Sequence, residues 1–130
     1  MNEFKTCIGI KNNLEFVLLN AWVNINEFGD FNRPHLHNYS AFSGVYYVDV
    51  DTDKIGDIYF SNYNQLVKHY WEFDWFVKEG STQTCHGADI RFTPTPHKLL
   101  IFPSWVTHYV ETNRSRKPRI SIAFNFTPKY

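Results

Sequence analysis

Apolar and polar side chains alternate along most of this chain, in short runs separated by turn residues. The clearest run is Ala41 to Val50, which places Phe42, Gly44, Tyr46, Val48 and Val50 on one face and Ser43, Val45, Tyr47 and Asp49 on the other. Alternation with a period of two is typical of a β-strand. Similar strand-like runs cover residues 14–26 (in two pieces), 57–60, 88–92, 98–102, 106–111 and 119–126.

The segment around residues 61–80 departs from this alternation. Its apolar side chains, among them Leu66, Tyr70 and Trp75, recur at mixed spacings between charged residues. This spacing predicts a short helical or irregular insertion that covers the mouth of a barrel. About eight short strands without a βαβ rhythm predict an all-β jelly roll, with the strands before residue 61 forming a meander. No repeat or linker interrupts the sequence, so residues 1–130 are expected to form a single domain.

Composition and charge exclude several classes of function. Hydrophobic residues make up 43% and aromatic residues 18% of the 130 positions, which favours a folded β protein over a disordered chain. Thirteen basic residues balance thirteen acidic ones, so no net charge attracts nucleic acid or an anionic membrane. The sequence has no apolar signal segment and no apolar run of membrane-spanning length, which predicts a cytoplasmic protein. Cys7 and Cys85 lack the spacing of a metal or redox motif.

Three histidines and an arginine carry the candidate chemistry. His35 and His37 are one residue apart, so on an extended backbone they point the same way and can ligate one metal ion. His108 follows about seventy residues later, and Arg119 stands on the next predicted strand. A close pair, a distant histidine and then an arginine is the order expected of a metal-and-oxoacid site in a small β-barrel. Arg119 shares a face with Ser121, and parity alone leaves open whether that face points inward or carries Arg119 as a solvated edge cation.

At these residues the chain resembles the Fe(II)- and 2-oxoglutarate-dependent oxygenases of bacteria and phages, which share the double-stranded β-helix, or jelly-roll, fold. The resemblance extends over about residues 20–126, so it covers nearly the whole chain. It rests on Trp22–Asn26, Gly29–Asp30, Pro34–His37, Ser43–Val48, Phe102–Trp105, His108 and Arg119–Asn125.

The resemblance implies a role for each matching residue. His35, His37 and His108 would ligate Fe(II) and form the catalytic centre, and Arg119 would bind the distal carboxylate of 2-oxoglutarate. Ser121 would share this task as the serine of an R-x-S arrangement, and Asn26 is also assigned to the cosubstrate site. The other partners implied are O₂ and a small-molecule or peptidyl substrate that the sequence does not specify. A phage origin would place the protein in the bacterial host cytoplasm, and no feature specifies an oligomeric state.

Two positions depart from the family pattern. His37 occupies the position usually filled by a carboxylate, so three neutral imidazoles would leave the charge of Fe(II) uncompensated unless Asp49 or Asp57 approaches the metal. His97 stands where family members tend to have a turn glycine, which should alter only the loop.

Two other interpretations of the same residues stay open. Gly29, His35, His37, Pro103 and His108 imitate the two cupin motifs, although the expected Glu is missing and Trp105 replaces a Gly. The protein would then be a cupin-like metalloprotein that does not use 2-oxoglutarate. Alternatively, the chain is a non-catalytic jelly roll with contact surfaces of Trp and Tyr, in which the three histidines are structural.

Overall fold

The computed structural model describes residues 13–51, 53–61 and 89–129, and these ranges contain eight β-strands and no helix. The first four strands are β1 (Phe16–Asn26), β2 (Asn32–His35), β3 (Phe42–Asp49) and β4 (Ile58–Phe60). The other four are β5 (Ile90–Phe92), β6 (Leu99–Pro103), β7 (His108–Val110) and β8 (Arg119–Pro128). The predicted insertion lies outside the described residues from position 62 onward, as do Cys7 and Cys85. No helix in the described ranges is long and apolar enough to cross a bilayer.

The strands form two antiparallel four-stranded sheets. The major sheet has the order β1-β8-β3-β6, and the minor sheet has the order β2-β7-β4-β5. Among the described strands, only β4 and β5 are neighbours both in sequence and in space, so the meander expected before residue 61 is wrong. All connections between consecutive described strands except β4–β5 instead cross from one sheet to the other. This connectivity confirms the predicted all-β jelly roll.

β1 is a single strand of 11 residues rather than two pieces. Its pairing with β8 shifts register between Leu18 and Asn20, where an irregularity interrupts the alternation that suggested two runs. Beyond it, Val23 and Ile25 point to the outer surface, where their side chains are 60% and 59% exposed. The intervening residues Trp22, Asn24 and Asn26 line the cavity between the sheets.

The hydrophobic core lies between the sheets and extends to the histidines. Its fully buried members are Val45, Tyr47, Val50, Ile55, Ile58, Phe60 and Phe102. The rings of Phe60 from the minor sheet and Phe102 from the major sheet meet edge to face, with centroids 4.7 Å apart. The Phe102 ring also lies 4.7 Å from the His108 ring. The core therefore packs directly against one of the candidate metal ligands.

The connections that adopt a left-handed backbone include those at His97 and Gly56. His97, where glycine is expected, has a φ of 64°, and its Nδ1 atom lies 2.9 Å from the Tyr46 hydroxyl. Gly56 has a φ of 76°, and a Cβ at this position would overlap the backbone of Glu111. The turn at Gly56 brings the carbonyls of Ile55 and Glu111 together, where both accept hydrogen bonds from Arg119.

Candidate active site

The fold brings His35, His37 and His108 together at one end of the minor sheet. His35 ends β2 and pairs in register with His108, the first residue of β7, while His37 lies just beyond β2. One ring nitrogen from each histidine can be chosen so that all three lie within 4.8 Å of one another. The Nε2 atoms of His37 and His108 are 3.3 Å apart. Three convergent imidazole nitrogens are a suitable ligand set for a transition-metal ion such as Fe(II).

Two of the three imidazoles are oriented by the backbone of their own segments. His35 Nδ1 lies 2.7 Å from the Arg33 carbonyl, and His108 Nδ1 lies 3.0 Å from the Val106 carbonyl. Because a carbonyl can only accept, each Nδ1 must carry the proton, which leaves the Nε2 lone pair free. A metal-binding histidine usually has such a partner for its second ring nitrogen.

The surroundings of His37 and His108 favour the neutral form of these two imidazoles. Burial lowers the pKa of His108 to about 4, against a smaller opposing effect of the Val106 carbonyl, and His35 and His37 lower it further. Burial also lowers the pKa of His37, with a second contribution from the charge of His35. Since only the neutral imidazole has a lone pair for a metal, both shifts favour metal binding at neutral pH.

The shifted pKa of His108 predicts that the metal-free protein loses stability in mild acid. Below pH 6.5 the unfolded chain protonates this histidine, whereas the folded chain does not until about pH 4. The free energy of unfolding should therefore fall by about 2 kcal/mol between pH 7 and pH 5, with His37 adding in the same direction. Urea unfolding of the metal-free protein at several pH values measures this change. The His108→Gln variant should show a shallower slope, and an unchanged slope would contradict this origin of the acid sensitivity.

Arg119 is buried in the same cavity and is not a solvated edge cation. Arg119 is the first residue of β8 and is only 1% exposed. One terminal nitrogen, Nη1, donates to the Ile55 carbonyl and to the Glu111 carbonyl, the latter at 3.3 Å. The other, Nη2, is buried and has no hydrogen-bond partner among the described residues. Burial lowers the pKa of Arg119, against smaller opposing effects of Tyr47 and Asp30, but a guanidinium stays protonated in a protein, so a buried cation with a free donor remains.

Three further polar side chains surround this guanidinium. Asn26 pairs with Arg119 across β1 and β8, and Ser121 lies two residues further along β8; both line the cavity. Tyr47, to which the sequence analysis assigned no role, also lines it and is 2% exposed. Burial raises the pKa of Tyr47, so its phenol remains a hydrogen-bond donor at neutral pH. Parity alone could not find Tyr47, because its place depends on the β3–β8 register that sets it opposite Ser121.

No carboxylate completes the histidine cluster within the described ranges. Asp49 forms an ion pair of 2.7 Å with Lys117, and neither Asp49 nor Asp57 lines the cavity. The predicted site residues therefore meet in one cavity, with the histidines on the minor-sheet side and Arg119, Ser121 and Asn26 on the major sheet. The three imidazoles and the half-paired guanidinium fit a metal ion together with an anionic ligand.

Comparison with known proteins assigns the chain to a family. A family model described as "Putative 2OG-Fe(II) oxygenase" matches residues 20–125, which is most of the chain. The chain belongs to the 2OG-Fe(II) oxygenase family. This confirms the resemblance found in the sequence, and the cofactors that the family implies are Fe(II) and 2-oxoglutarate. A search of curated proteins finds no significant match.

Solved structures agree with the 2OG-Fe(II) oxygenase family in fold. An oxidoreductase of this family from Burkholderia pseudomallei superimposes with a TM-score of 0.66 at 16% identity, covering 95% of this chain and 50% of its own. A Pseudomonas putida prolyl-4-hydroxylase superimposes with a TM-score of 0.57 at 20% identity, covering 90% and 54%. The chain thus spans about half the length of these two proteins.

Proposed function

We propose that this protein is an Fe(II)- and 2-oxoglutarate-dependent oxygenase, in which His35, His37 and His108 bind the iron and Arg119 binds the cosubstrate. Family membership supports the reaction class. We also propose that residues 1–130 act as a single domain. A cytoplasmic location stays a prediction from the sequence.

The observation that carries this proposal is the buried, half-paired guanidinium of Arg119. Burying a charged donor without an acceptor is costly, and Nη2 has no hydrogen-bond partner among the described residues. A carboxylate entering the cavity would accept this free donor and neutralise the charge at the same time. The three-histidine cluster lines the same cavity, so one small dicarboxylate can reach both the metal and the guanidinium.

The remaining polar side chains would hold the same carboxylate. Ser121 and Tyr47 can each donate one hydroxyl hydrogen bond, and Asn26 can donate through its amide. Arg119, Tyr47 and Ser121 are all buried, so the carboxylate would be shielded from water, which strengthens these charge-assisted hydrogen bonds. Trp22, whose ring centroid is 5.8 Å from that of His37, would border the space that a substrate enters.

When bound, Fe(II), 2-oxoglutarate and O₂ supply oxidative decarboxylation to succinate and CO₂, coupled to insertion of the second oxygen atom into a substrate C–H bond. The chain's part is to orient the cosubstrate through Arg119 and to offer three imidazole ligands that leave room on an octahedral metal. The substrate would be a small molecule or a peptidyl side chain.

An anaerobic optical titration tests this function. Fe(II) is added to the purified metal-free protein, followed by 2-oxoglutarate, and the visible charge-transfer band of a chelated 2-oxo acid is recorded. We expect the band to appear with 2-oxoglutarate and to saturate at one equivalent. Glutarate, the C5 dicarboxylate without the 2-oxo group, serves as the matched control and should give no band.

The other results of this titration identify the alternatives. Iron binding without the band would contradict the use of 2-oxoglutarate and favour a cupin-like metalloprotein. Absence of iron binding with all three histidines intact would favour a non-catalytic jelly roll.

A further inference from the structure

The third candidate ligand, His37, is held differently from the other two. His35 and His108 have backbone carbonyls as partners for Nδ1, but no described residue makes a hydrogen bond to Nδ1 of His37. His37 also lies beyond the end of β2, so no strand pairing fixes it. Its backbone N–H donates to the Ser104 carbonyl at 3.0 Å. The position of His37 therefore depends on the backbone of Ser104.

Ser104 belongs to a chain of hydrogen-bonded polar side chains, buried at its centre, that reaches β1 at the edge of the major sheet. Its hydroxyl lies 2.9 Å from that of Ser40 and 2.7 Å from that of Ser43. Ser43 donates to the Asn125 side-chain oxygen at 2.6 Å, and the Asn125 amide donates to the Asn20 side-chain oxygen at 2.8 Å. We call Ser40, Ser104, Ser43, Asn125 and Asn20 the serine–asparagine chain.

The hydrogen bonds of this chain run in one direction. The Asn125 oxygen can only accept, so the single proton of Ser43 is committed to it. Ser104 must then donate to Ser43, and Ser40 must donate to Ser104. Because the hydroxyls of Ser104 and Ser43 each donate and accept, removing either one leaves both of its neighbours incompletely paired.

The cost of this arrangement argues against a purely space-filling role. Ser43, Ser104 and Asn125 are 1%, 0% and 4% exposed, in positions where apolar side chains would avoid burying polar atoms. At the other end, the Ser104 carbonyl accepts a hydrogen bond from the His37 N–H at 3.0 Å. The Ser40 hydroxyl, whose proton is donated to Ser104, lies 3.5 Å from the His37 carbonyl. The serine–asparagine chain is therefore linked to His37 through the His37 backbone N–H.

We propose that the serine–asparagine chain is a positioning device that holds His37 in place as the third metal ligand. It connects the segment after β2 to β3, β8 and β1, so the well-paired centre of the major sheet fixes a residue that its own sheet does not. Ser104, Ser43 and Ser40 are positioning residues, since they act on the metal through His37. This inference rests on the proposed metal site.

The test is a Co(II) titration of the metal-free protein, followed through the visible spectrum of the bound ion, for wild type and Ser104→Ala. We expect Ser104→Ala to bind Co(II) at least about 10-fold more weakly, with an altered spectrum, as substitutions behind metal ligands do. Ser115→Ala is the matched control, because the Ser115 hydroxyl is also buried and bonded, to Asp51 and to the Lys117 N–H, but does not contact a histidine. It should lower the melting temperature without changing Co(II) affinity.

A double-mutant cycle separates positioning from a general loss of stability. In a His37→Ala background, Ser104→Ala should cause no further loss of Co(II) affinity. An equal loss in both backgrounds, or an unchanged affinity in Ser104→Ala alone, would overturn the proposal. If Ser104→Ala does not fold, Ser40→Ala takes its place with the same expected outcomes, because the half-buried Ser40 hydroxyl is the donor to Ser104.

Failure of the proposed function would be visible separately, as wild-type protein that takes up no Co(II). The positioning role is then decided by the imidazole chemical shifts of His37 in the metal-free protein. A shift in Ser104→Ala that is absent from Ser115→Ala supports the positioning role, and identical shifts in all three proteins overturn it.

Discussion

Replacement of His108 by alanine should weaken Fe(II) binding by more than about 100-fold. Substitutions behind a metal ligand already cost about 10- to 100-fold in affinity, and removing the ligand itself should cost more. His108 is also the most buried of the three histidines and the one whose orientation is best defined, by Val106 and by the Phe102 ring. Anaerobic Fe(II) titration followed by calorimetry measures the change.

The control for this substitution is His97→Asn. His97 is a histidine in a left-handed turn, and asparagine tolerates that conformation. This variant should bind Fe(II) as the wild type does. Wild-type affinity in His108→Ala would remove His108 from the ligand set and, with it, the proposed metal site.

Replacement of Arg119 by alanine should leave Fe(II) binding within a few-fold and weaken 2-oxoglutarate binding by about 100-fold or more. A bidentate, buried guanidinium–carboxylate pair contributes roughly 3 kcal/mol or more, which corresponds to that factor. Arg119→Lys should recover only part of the affinity, because an ammonium cannot match both carboxylate oxygens. The amplitude and midpoint of the charge-transfer band in a 2-oxoglutarate titration give both quantities.

Arg119 also donates to the Ile55 and Glu111 carbonyls, so its removal should lower stability as well as affinity. Measuring Fe(II) binding in the same preparation shows whether the rest of the site survives. Arg91→Ala is the matched control, since Arg91 is an exposed arginine on β5 and does not line the cavity. Equal 2-oxoglutarate affinity in Arg119→Ala and Arg91→Ala would place the cosubstrate elsewhere.

Strand alternation predicted most of the strands because, in a sheet that is buried on one face, successive residues point in turn to the core and to the solvent. The alternation along Ala41 to Val50 corresponds to β3, with Ser43, Val45 and Tyr47 buried. The pairing of strands could not be predicted in the same way. Alternation says which residues share a face but not which strand is adjacent, so the first strands were expected to form a meander that the two sheets do not contain.

The residues of the candidate site can likewise be separated into those that the sequence predicted and those that it did not. His35, His108, Arg119 and Ser121 were found from spacing, parity and family resemblance, and they line one cavity in the structure. Tyr47 and the serine–asparagine chain were not found, because each depends on contacts between residues far apart in sequence. Ser43 and Asn125, for example, are separated by 82 positions and meet only through the register of β3 and β8.

The cavity lies between two sheets, so the apolar packing between them helps to determine its dimensions. The imidazoles lie on the minor-sheet side and the guanidinium of Arg119 on the major sheet. The distance between the proposed metal site and Arg119 is therefore not fixed within a single strand or sheet. Side chains packed between the sheets, such as Phe60 against Phe102, would set that distance. Since packed interiors deform little, we expect the proposed site to select for the carbon-chain length of the oxoacid. An oxoacid one methylene shorter or longer than that distance would fail to reach both ends at once.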